Sequence, residues 1–112
     1  MQIALAQLNQ SLGDLRGNAE AILAAAAEAE RGGARLVVTP ELSLCGYPPE
    51  DLLLRPAFLD ACARELAALA AAVGDVAVVV GFPEQAAGRR YNALAVLRGG
   101  KEVVSRLPPV DD

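Results

Sequence analysis

The sequence predicts a single α/β domain with a mixed β-sheet, and three observations support that class. Short apolar runs alternate along the chain with two Ala-rich segments in which apolar residues recur every three or four positions. Such alternation is typical of strands connected by amphipathic helices. Near the end of the sequence, two further apolar runs flank a Gly-Gly pair, which predicts an antiparallel hairpin. A chain of 112 residues can build one hydrophobic core and no more.

The first predicted elements are a strand, a helix and a second strand. Residues 2–8 alternate larger side chains with alanines and predict the first strand, after which Asp14 is a suitable helix N-cap. The helix is expected from Leu15 to about Arg31, where a Gly-Gly pair ends it. Its predicted buried positions are Leu15, Ala19, Ile22, Ala26 and Ala29. Residues 36–39 then form a strand, and this order implies parallel neighbours joined by a right-handed crossover.

The second half of the chain adds a helix and three strands. Residues 56–73 predict a helix, because proline suits its first turn and glycine follows its last. The predicted buried face of this helix comprises Phe58, Cys62, Leu66, Leu69 and Val73. Residues 76–80 are a continuous apolar run, which predicts a central strand covered on both sides and ended by residues 81–83. Residues 91–97 and 102–104 form the hairpin.

Composition and charge exclude several classes of function. The net charge is −4 and histidine is absent, so we expect neither a nucleic-acid partner nor a zinc site. The two cysteines have no CxxC spacing and the first residues show no basic leader, so we expect reduced thiols in a cytoplasmic protein. The longest apolar stretch is well below the ~18 residues that a membrane span needs, and we expect no membrane partner.

Glu41 is the strongest candidate for a catalytic residue. It lies in the segment TPELSLCGYPPEDLL, residues 39–53, directly after the second predicted strand. Open α/β sheets place their sites at such strand exits, and residues 81–83 are expected at the same sheet edge. A mostly apolar pocket disfavours a charged carboxylate and raises its pKa, which suits a general base. Taken alone, the same position also fits a solvated loop carboxylate.

The segment PELSLCGYPPEDLLLRP resembles the first active-site segment of the carbon–nitrogen hydrolase (nitrilase-like) superfamily, and specifically the glutaminase domain of glutamine-dependent NAD synthetases. Similar stretches cover nearly the whole chain: IALAQLNQSLGDLRGNAEAI, VVVGFPE and RYNALAVLRGGKEVV. The resemblance implies an α-β-β-α sandwich of the nitrilase-like type, of which this chain forms part, a mixed sheet with helices on one face. Residues 1–112 are then an incomplete carbon–nitrogen hydrolase domain, without the synthetase domain.

The resemblance also implies a Glu-Lys-Cys trio that hydrolyses the side-chain amide of glutamine through a thioester. Glu41 matches the glutamate of this trio, the general base. The ammonia would travel to a synthetase domain, where it attacks ATP-activated deamido-NAD. Glutamine is therefore the expected substrate, this segment needs no cofactor, and ATP and Mg²⁺ are expected only in the synthetase domain. We expect the full-length protein to be a homo-oligomer.

The other two members of the trio have no match in these residues. The lysine is expected just before Leu107-Pro108, where Arg106 has a permanently charged planar guanidinium that cannot replace an ammonium. Lys101 lies in the predicted hairpin turn and is expected to be solvated. Cys45 matches a variable small residue of the motif, and Cys62 lies on an apolar helix face as a buried, inert thiol. We therefore expect the 112-residue chain to be inactive alone.

The sequence leaves the role of Tyr47 and the choice between several functions undecided. Tyr47 fits either a contact with glutamine at the cleft mouth or packing beside the Pro-Pro turn. Asn92 is expected at a strand end, where it caps a turn, and Glu50 and Asp51 are helix-start residues. Two alternative functions remain, a free-standing amidase acting on small amides or nitriles, and a non-catalytic fragment or binding module with an exposed sheet edge.

Overall fold

A computed structural model gives the architecture of the chain. It describes residues 2–6, 8, 14–40, 42–46 and 55–106. The elements are β1 (Ile3–Leu5), α1 (Leu15–Arg31), β2 (Leu36–Val38), α2 (Pro56–Ala72), β3 (Ala77–Ala86), β4 (Arg89–Arg98) and β5 (Lys101–Arg106). The predicted sequence of strand, helix, strand, helix, strand and hairpin is confirmed. Within the described ranges, no helix is long and apolar enough to cross a membrane.

The strands form one mixed sheet in the order β1-β2-β3-β4-β5. β2 pairs in parallel with β1 and β3, whereas β4 pairs antiparallel with β3 and β5. The predicted hairpin between β4 and β5 is confirmed, with Arg98 opposite Lys101. Gly99 and Gly100 have φ values of 57° and 83°, and a two-residue turn of this kind favours glycine, which adopts positive φ without steric cost. The Gly-Gly pair therefore fixes the register of the last two strands.

β3 is longer than the sequence predicts. The expectation that residues 81–83 end this strand is wrong, because β3 continues to Ala86 and pairs with β4 along its whole length. Pro83 lies opposite Asn92 inside this ladder. β2 pairs with β3 only as far as Val79, so beyond that point the described residues place no strand on the second edge of β3. A proline there removes no hydrogen bond to a second neighbour.

Both helices pack on one face of the sheet. The inner face of the sheet is buried at Val37, Val78, Val80, Phe82, Ala93, Ala95 and Leu97. The opposite face is open: Leu5 is 77% exposed and Val103 is 70% exposed. The expectation that residues 76–80 are covered on both sides is therefore wrong, since Ala77 and Val79 are only half-buried. A continuous run of apolar residues cannot show which face is covered, whereas the helices-on-one-face arrangement implied by the family resemblance is confirmed.

The helices begin and end close to the predicted residues. Asp14 caps α1 by accepting a hydrogen bond from the Gly17 amide at 3.0 Å. Four of the predicted positions of α1 are buried, Ala29 is half-buried, and Asn18 is buried without having been predicted. On α2, the core contains Leu59, while the predicted Phe58 is half-buried. The remaining predicted positions of α2 and the residue that follows it are buried: Cys62, Leu66, Leu69 and Val73.

Candidate active site

The segment that follows β2 is held at the carboxyl end of that strand. Glu41 and Tyr47 lie outside the described residues, so their roles as general base and substrate contact stay predictions. The residues on both sides of Glu41 are described, namely 39–40 and 42–46. These flanking residues define the described part of the candidate site.

Two buried hydroxyl groups flank Glu41, one on each side. Thr39 is 7% exposed and Ser43 is fully buried, and their oxygens Oγ1 and Oγ lie 2.6 Å apart. The Thr39 hydroxyl donates to the carbonyl oxygen of Val79 on β3 at 2.7 Å. Because this uses the only hydroxyl proton of Thr39, the Ser43 hydroxyl is the donor between the two side chains. Ser43 Oγ in turn accepts from the Gly81 amide at 3.4 Å.

The backbone turns sharply in this segment. The amide of Ser43 donates to the carbonyl oxygen of Pro40 at 3.1 Å, which brings these two residues together. The carbonyl oxygen of Leu42 accepts from the amides of Cys45 at 3.2 Å and Gly46 at 2.8 Å. Leu42 has a φ of 51°, a left-handed conformation that residues with a side chain rarely adopt. The backbone next to Glu41 is thus held in a strained turn.

Contacts to two other elements hold the end of this turn. The Leu44 amide donates to the carbonyl oxygen of Gly81 on β3 at 3.1 Å. The Leu44 carbonyl oxygen accepts from Asn18 Nδ2 on α1, also at 3.1 Å. Leu44 is fully buried and Asn18 is 3% exposed, so water does not compete for these bonds. One residue of the turn is therefore tied to the sheet and to the first helix.

The two cysteines contact each other beneath the turn. Cys45 and Cys62 are both fully buried and free of disulfides. A hydrogen bond from the Cys62 thiol lowers the pKa of Cys45, although burial opposes that shift. The same hydrogen bond and burial raise the pKa of Cys62 above its ordinary value. Neither sulfur is accessible to a substrate, so the thiols act as part of the core in this structure.

The other predicted residues do not join this segment. Lys101 is exposed. It lies opposite Arg98 in the ladder between β4 and β5, at the other end of the sheet from Thr39. Arg106 lies opposite Ala93 in the ladder between β4 and β5. The interpretation of Asn92 as a strand-end cap is wrong, because β4 already begins at Arg89. Among the residues that the structure describes, no three His, Cys, Asp or Glu side chains are grouped to hold a metal ion.

Three residues of this site were not predicted as functional. Asn18, Thr39 and Ser43 carry the side-chain hydrogen bonds that hold the turn. A polar residue on the apolar face of a helix was the available signal for Asn18, since buried polar groups need partners. Thr39 and Ser43 lie inside the motif segment, but a short polar side chain in a loop has many simpler explanations.

Comparison with known proteins supports the family resemblance. A model of the carbon–nitrogen hydrolase family matches residues 2–107. A glutamine-dependent NAD(+) synthetase of Xanthomonas campestris pv. campestris (strain 8004) is 44% identical over 102 residues, which cover 90% of this chain and 18% of that protein. This chain therefore spans less than a fifth of the length of that relative.

Solved structures show the same fold. The crystal structure of a glutamine-dependent NAD(+) synthetase from Cytophaga hutchinsonii matches 93% of this chain and 18% of its own chain, with a TM-score of 0.87 and 30% identity. A mutant of the amidase from Nesterenkonia sp. AN1, in which acrylamide has undergone Michael addition at the active site cysteine, matches with a TM-score of 0.75 and 26% identity. That match covers 93% of this chain and 42% of the amidase.

Proposed function

Because this chain belongs to the carbon–nitrogen hydrolase family, we propose that it forms the first part of a glutaminase domain. In the longer enzyme, this domain hydrolyses the side-chain amide of glutamine and supplies ammonia for the ATP-dependent amidation of deamido-NAD to NAD. Support comes from the glutamine-dependent NAD(+) synthetase that is 44% identical over 90% of this chain. The observation that carries the proposal is the hydrogen-bonded pair of Thr39 and Ser43 at the carboxyl end of β2, which flanks the motif glutamate in the sequence.

The proposed role of Glu41 is that of general base. Its carboxylate accepts the thiol proton of a nucleophilic cysteine, and the thiolate attacks the amide carbon of glutamine. Glu41 donates that proton to the leaving nitrogen, so ammonia departs, a thioester joins the glutamyl group to the cysteine, and the carboxylate is free again. Glu41 then takes a proton from water as the water attacks the thioester, which releases glutamate and restores the thiol. Tyr47 is proposed to contact the glutamine at the mouth of the cleft.

The lysine and the nucleophilic cysteine are proposed to come from other parts of the longer enzyme. Cys45 and Cys62 are fully buried, and Lys101 lies at the opposite end of the sheet from Thr39. The Nesterenkonia amidase, which shares this fold, has an active site cysteine, and a nucleophile of that type is what the mechanism requires. ATP and Mg²⁺ belong to the proposed synthetase domain, where they activate deamido-NAD.

The second candidate is a free-standing amidase. It is favoured by the match to the Nesterenkonia amidase, whose chain is covered to 42% by this sequence. Two observations favour the glutaminase over this amidase. The TM-score with the Cytophaga hutchinsonii synthetase is higher, at 0.87, and the motif GYPPEDLL resembles the synthetase segment. The two functions differ in substrate, since one predicts preference for glutamine and the other for small amides such as propionamide.

A hybrid enzyme tests the proposed function. It joins residues 2–98 of this chain to the part of the Xanthomonas campestris synthetase that follows the equivalent of β4, so that the relative supplies the lysine and cysteine. We expect the hybrid to form NAD from deamido-NAD with glutamine as the nitrogen source, and to release glutamate. Free ammonium is the matched control, because it bypasses the glutaminase. NAD formation from ammonium but not from glutamine would contradict the proposal, and faster hydrolysis of propionamide than of glutamine would favour the amidase.

A further inference from the structure

The hydroxyl groups of Thr39 and Ser43 form a continuous line of hydrogen bonds that begins and ends on β3. The Gly81 amide donates to Ser43 Oγ, Ser43 donates to Thr39 Oγ1, and Thr39 donates to the Val79 carbonyl oxygen. Each hydroxyl donates once and accepts once, so the line has only one arrangement of protons. Such a line fixes the position of both side chains relative to β3.

Thr39 and Ser43 are equally far from Glu41 in the sequence, one on each side. Thr39 stands two residues before Glu41 and Ser43 stands two residues after it. The bond of 2.6 Å between their oxygens therefore closes a short loop of chain that contains Glu41. Within that loop, the left-handed Leu42 is an unfavourable conformation that persists only when its surroundings hold it.

Core stability alone does not explain two buried hydroxyls at these positions. Leu44, Cys45 and Val37, within two residues of them in the sequence, are fully buried and apolar. Replacing two hydrogen-bonded partners by apolar groups of the same shape is often neutral for stability. The Val79 carbonyl oxygen would keep its bond from the Thr39 amide at 3.1 Å. The hydroxyl pair therefore orients the backbone of the segment more than it stabilises the folded chain.

We infer that Thr39 and Ser43 are positioning residues for Glu41, because they hold both ends of the segment between them against β3. This inference rests on the proposed function, because it assigns the two hydroxyls a role in the chemistry of the same glutamate. Their effect is indirect: they contact β3 and each other, and they orient the backbone from which the Glu41 side chain extends. Loss of the line of bonds leaves the base present but no longer held in place.

Amide hydrogen exchange on the 112-residue chain tests the local part of the inference. The Thr39→Val variant keeps the shape of the side chain and removes its hydroxyl. We expect exchange at the amides of Ser43, Leu44 and Gly46 to accelerate at least tenfold, with exchange along β4 unchanged. Thr39→Ser keeps the hydroxyl and should exchange like the parent. Unchanged exchange in Thr39→Val, or equal acceleration along β4, would overturn the inference.

Kinetics of the hybrid enzyme test the link to catalysis. We expect Thr39→Val and Ser43→Ala to lower kcat for glutamine hydrolysis about 10- to 100-fold, with KM changed less than threefold, and Thr39→Ser to retain most of kcat. Leu97→Val is the matched control, since it removes buried volume on β4, whereas the hydrogen bonds of both hydroxyls run to β3. A parental kcat in Thr39→Val and Ser43→Ala, or an equal loss of kcat in Leu97→Val, would overturn the inference.

The Glu41→Gln hybrid separates this inference from the proposed function. If Glu41→Gln abolishes glutamine hydrolysis while both hydroxyl variants keep the parental kcat, the positioning role fails and the proposed function stands. If Glu41→Gln is as active as the parent, the proposed role of Glu41 fails and the positioning inference falls with it. The inference expects a lower kcat for glutamine hydrolysis in Glu41→Gln, Thr39→Val and Ser43→Ala. Thr39→Ser should retain most of the parental kcat.

Discussion

The side-chain amide of Asn18 on α1 donates a hydrogen bond of 3.1 Å to the carbonyl oxygen of Leu44, 26 residues further along the chain. Both residues are buried, so this bond joins the first helix to the turn that follows β2. The turn is therefore tied to two elements, to α1 through Asn18 and to β3 through Thr39 and Ser43.

The first prediction concerns the stability contributed by Asn18. Asn18→Ala removes a buried donor and leaves the Leu44 carbonyl oxygen without this bond, so we expect a loss of about 1–3 kcal/mol in the free energy of unfolding. Urea denaturation followed by circular dichroism measures it. The matched control is Arg16→Ala on the same helix, whose side chain is 76% exposed and 4.0 Å from Glu65. We expect that change to cost less than about 0.5 kcal/mol. Equal losses in the two variants would contradict the buried role of Asn18.

Much of the fold is predictable from the sequence because local signals and long-range packing agree. Asp14 satisfies an amide at the start of α1, and the Gly-Gly pair between β4 and β5 adopts the left-handed conformation that its turn requires. The alternation of elements then leaves few possible arrangements of parallel strands. These features depend on short stretches of sequence, and the structure confirms them.

The length of β3 and the role of Asn18 depend on contacts that no local pattern reveals. Pro83 resembles a strand terminator, but its amide position faces an edge without a second strand in the described residues. Asn18 is a polar residue on the apolar face of α1, which signals that it needs a partner, but only the structure shows that this partner is the Leu44 carbonyl oxygen. For the site, the motif points to Glu41 through its resemblance to a family, whereas Thr39 and Ser43 become visible only through their distances.

The second prediction contrasts the two faces of the sheet. Leu97 is fully buried on the inner face, and Leu97→Ala is expected to cost about 2–5 kcal/mol in the free energy of unfolding, because it leaves a cavity. Val103 is 70% exposed on the outer face, and Val103→Ala is expected to cost less than about 1 kcal/mol. Urea denaturation of both variants provides the comparison. Equal costs would mean that the outer face is packed in solution.

The third prediction is a loss of stability at alkaline pH caused by Cys62. Its pKa is raised in the folded chain, so its contribution is complete below the ordinary thiol value of 9.0 and is lost as pH rises above it. The free energy of unfolding should fall there by up to about 1.4 kcal/mol per pH unit. The lowered pKa of Cys45 acts in the opposite direction and adds no slope above that pH.

Urea denaturation between pH 8 and pH 10.5, at intervals of about half a unit, measures this slope. The double variant Cys45→Ala/Cys62→Ala is the control, because it removes both interacting thiols and should flatten the pH dependence even if it lowers stability overall. An unchanged slope in the double variant would show that other groups cause the alkaline loss.

The fourth prediction concerns the 112-residue chain by itself. Both of its cysteines are fully buried, so neither sulfur can reach the amide of glutamine. We expect no release of glutamate above the buffer background, measured with a coupled glutamate dehydrogenase assay. The same assay on the hybrid enzyme is the positive control. Turnover by the chain alone, abolished by Cys45→Ala or Cys62→Ala, would show that one of these thiols becomes accessible and acts as a nucleophile.

The most direct test of the central claim is the rate of glutamate release by the hybrid enzyme with Glu41→Gln. The substituted side chain at position 41 keeps the shape of the original one but cannot accept the thiol proton. We therefore predict that kcat falls about 10²- to 10⁴-fold. Glu28→Gln, a matched change at an exposed position of α1, should leave kcat within twofold of the parent. A Glu41→Gln hybrid that releases glutamate at the parental rate would contradict the account.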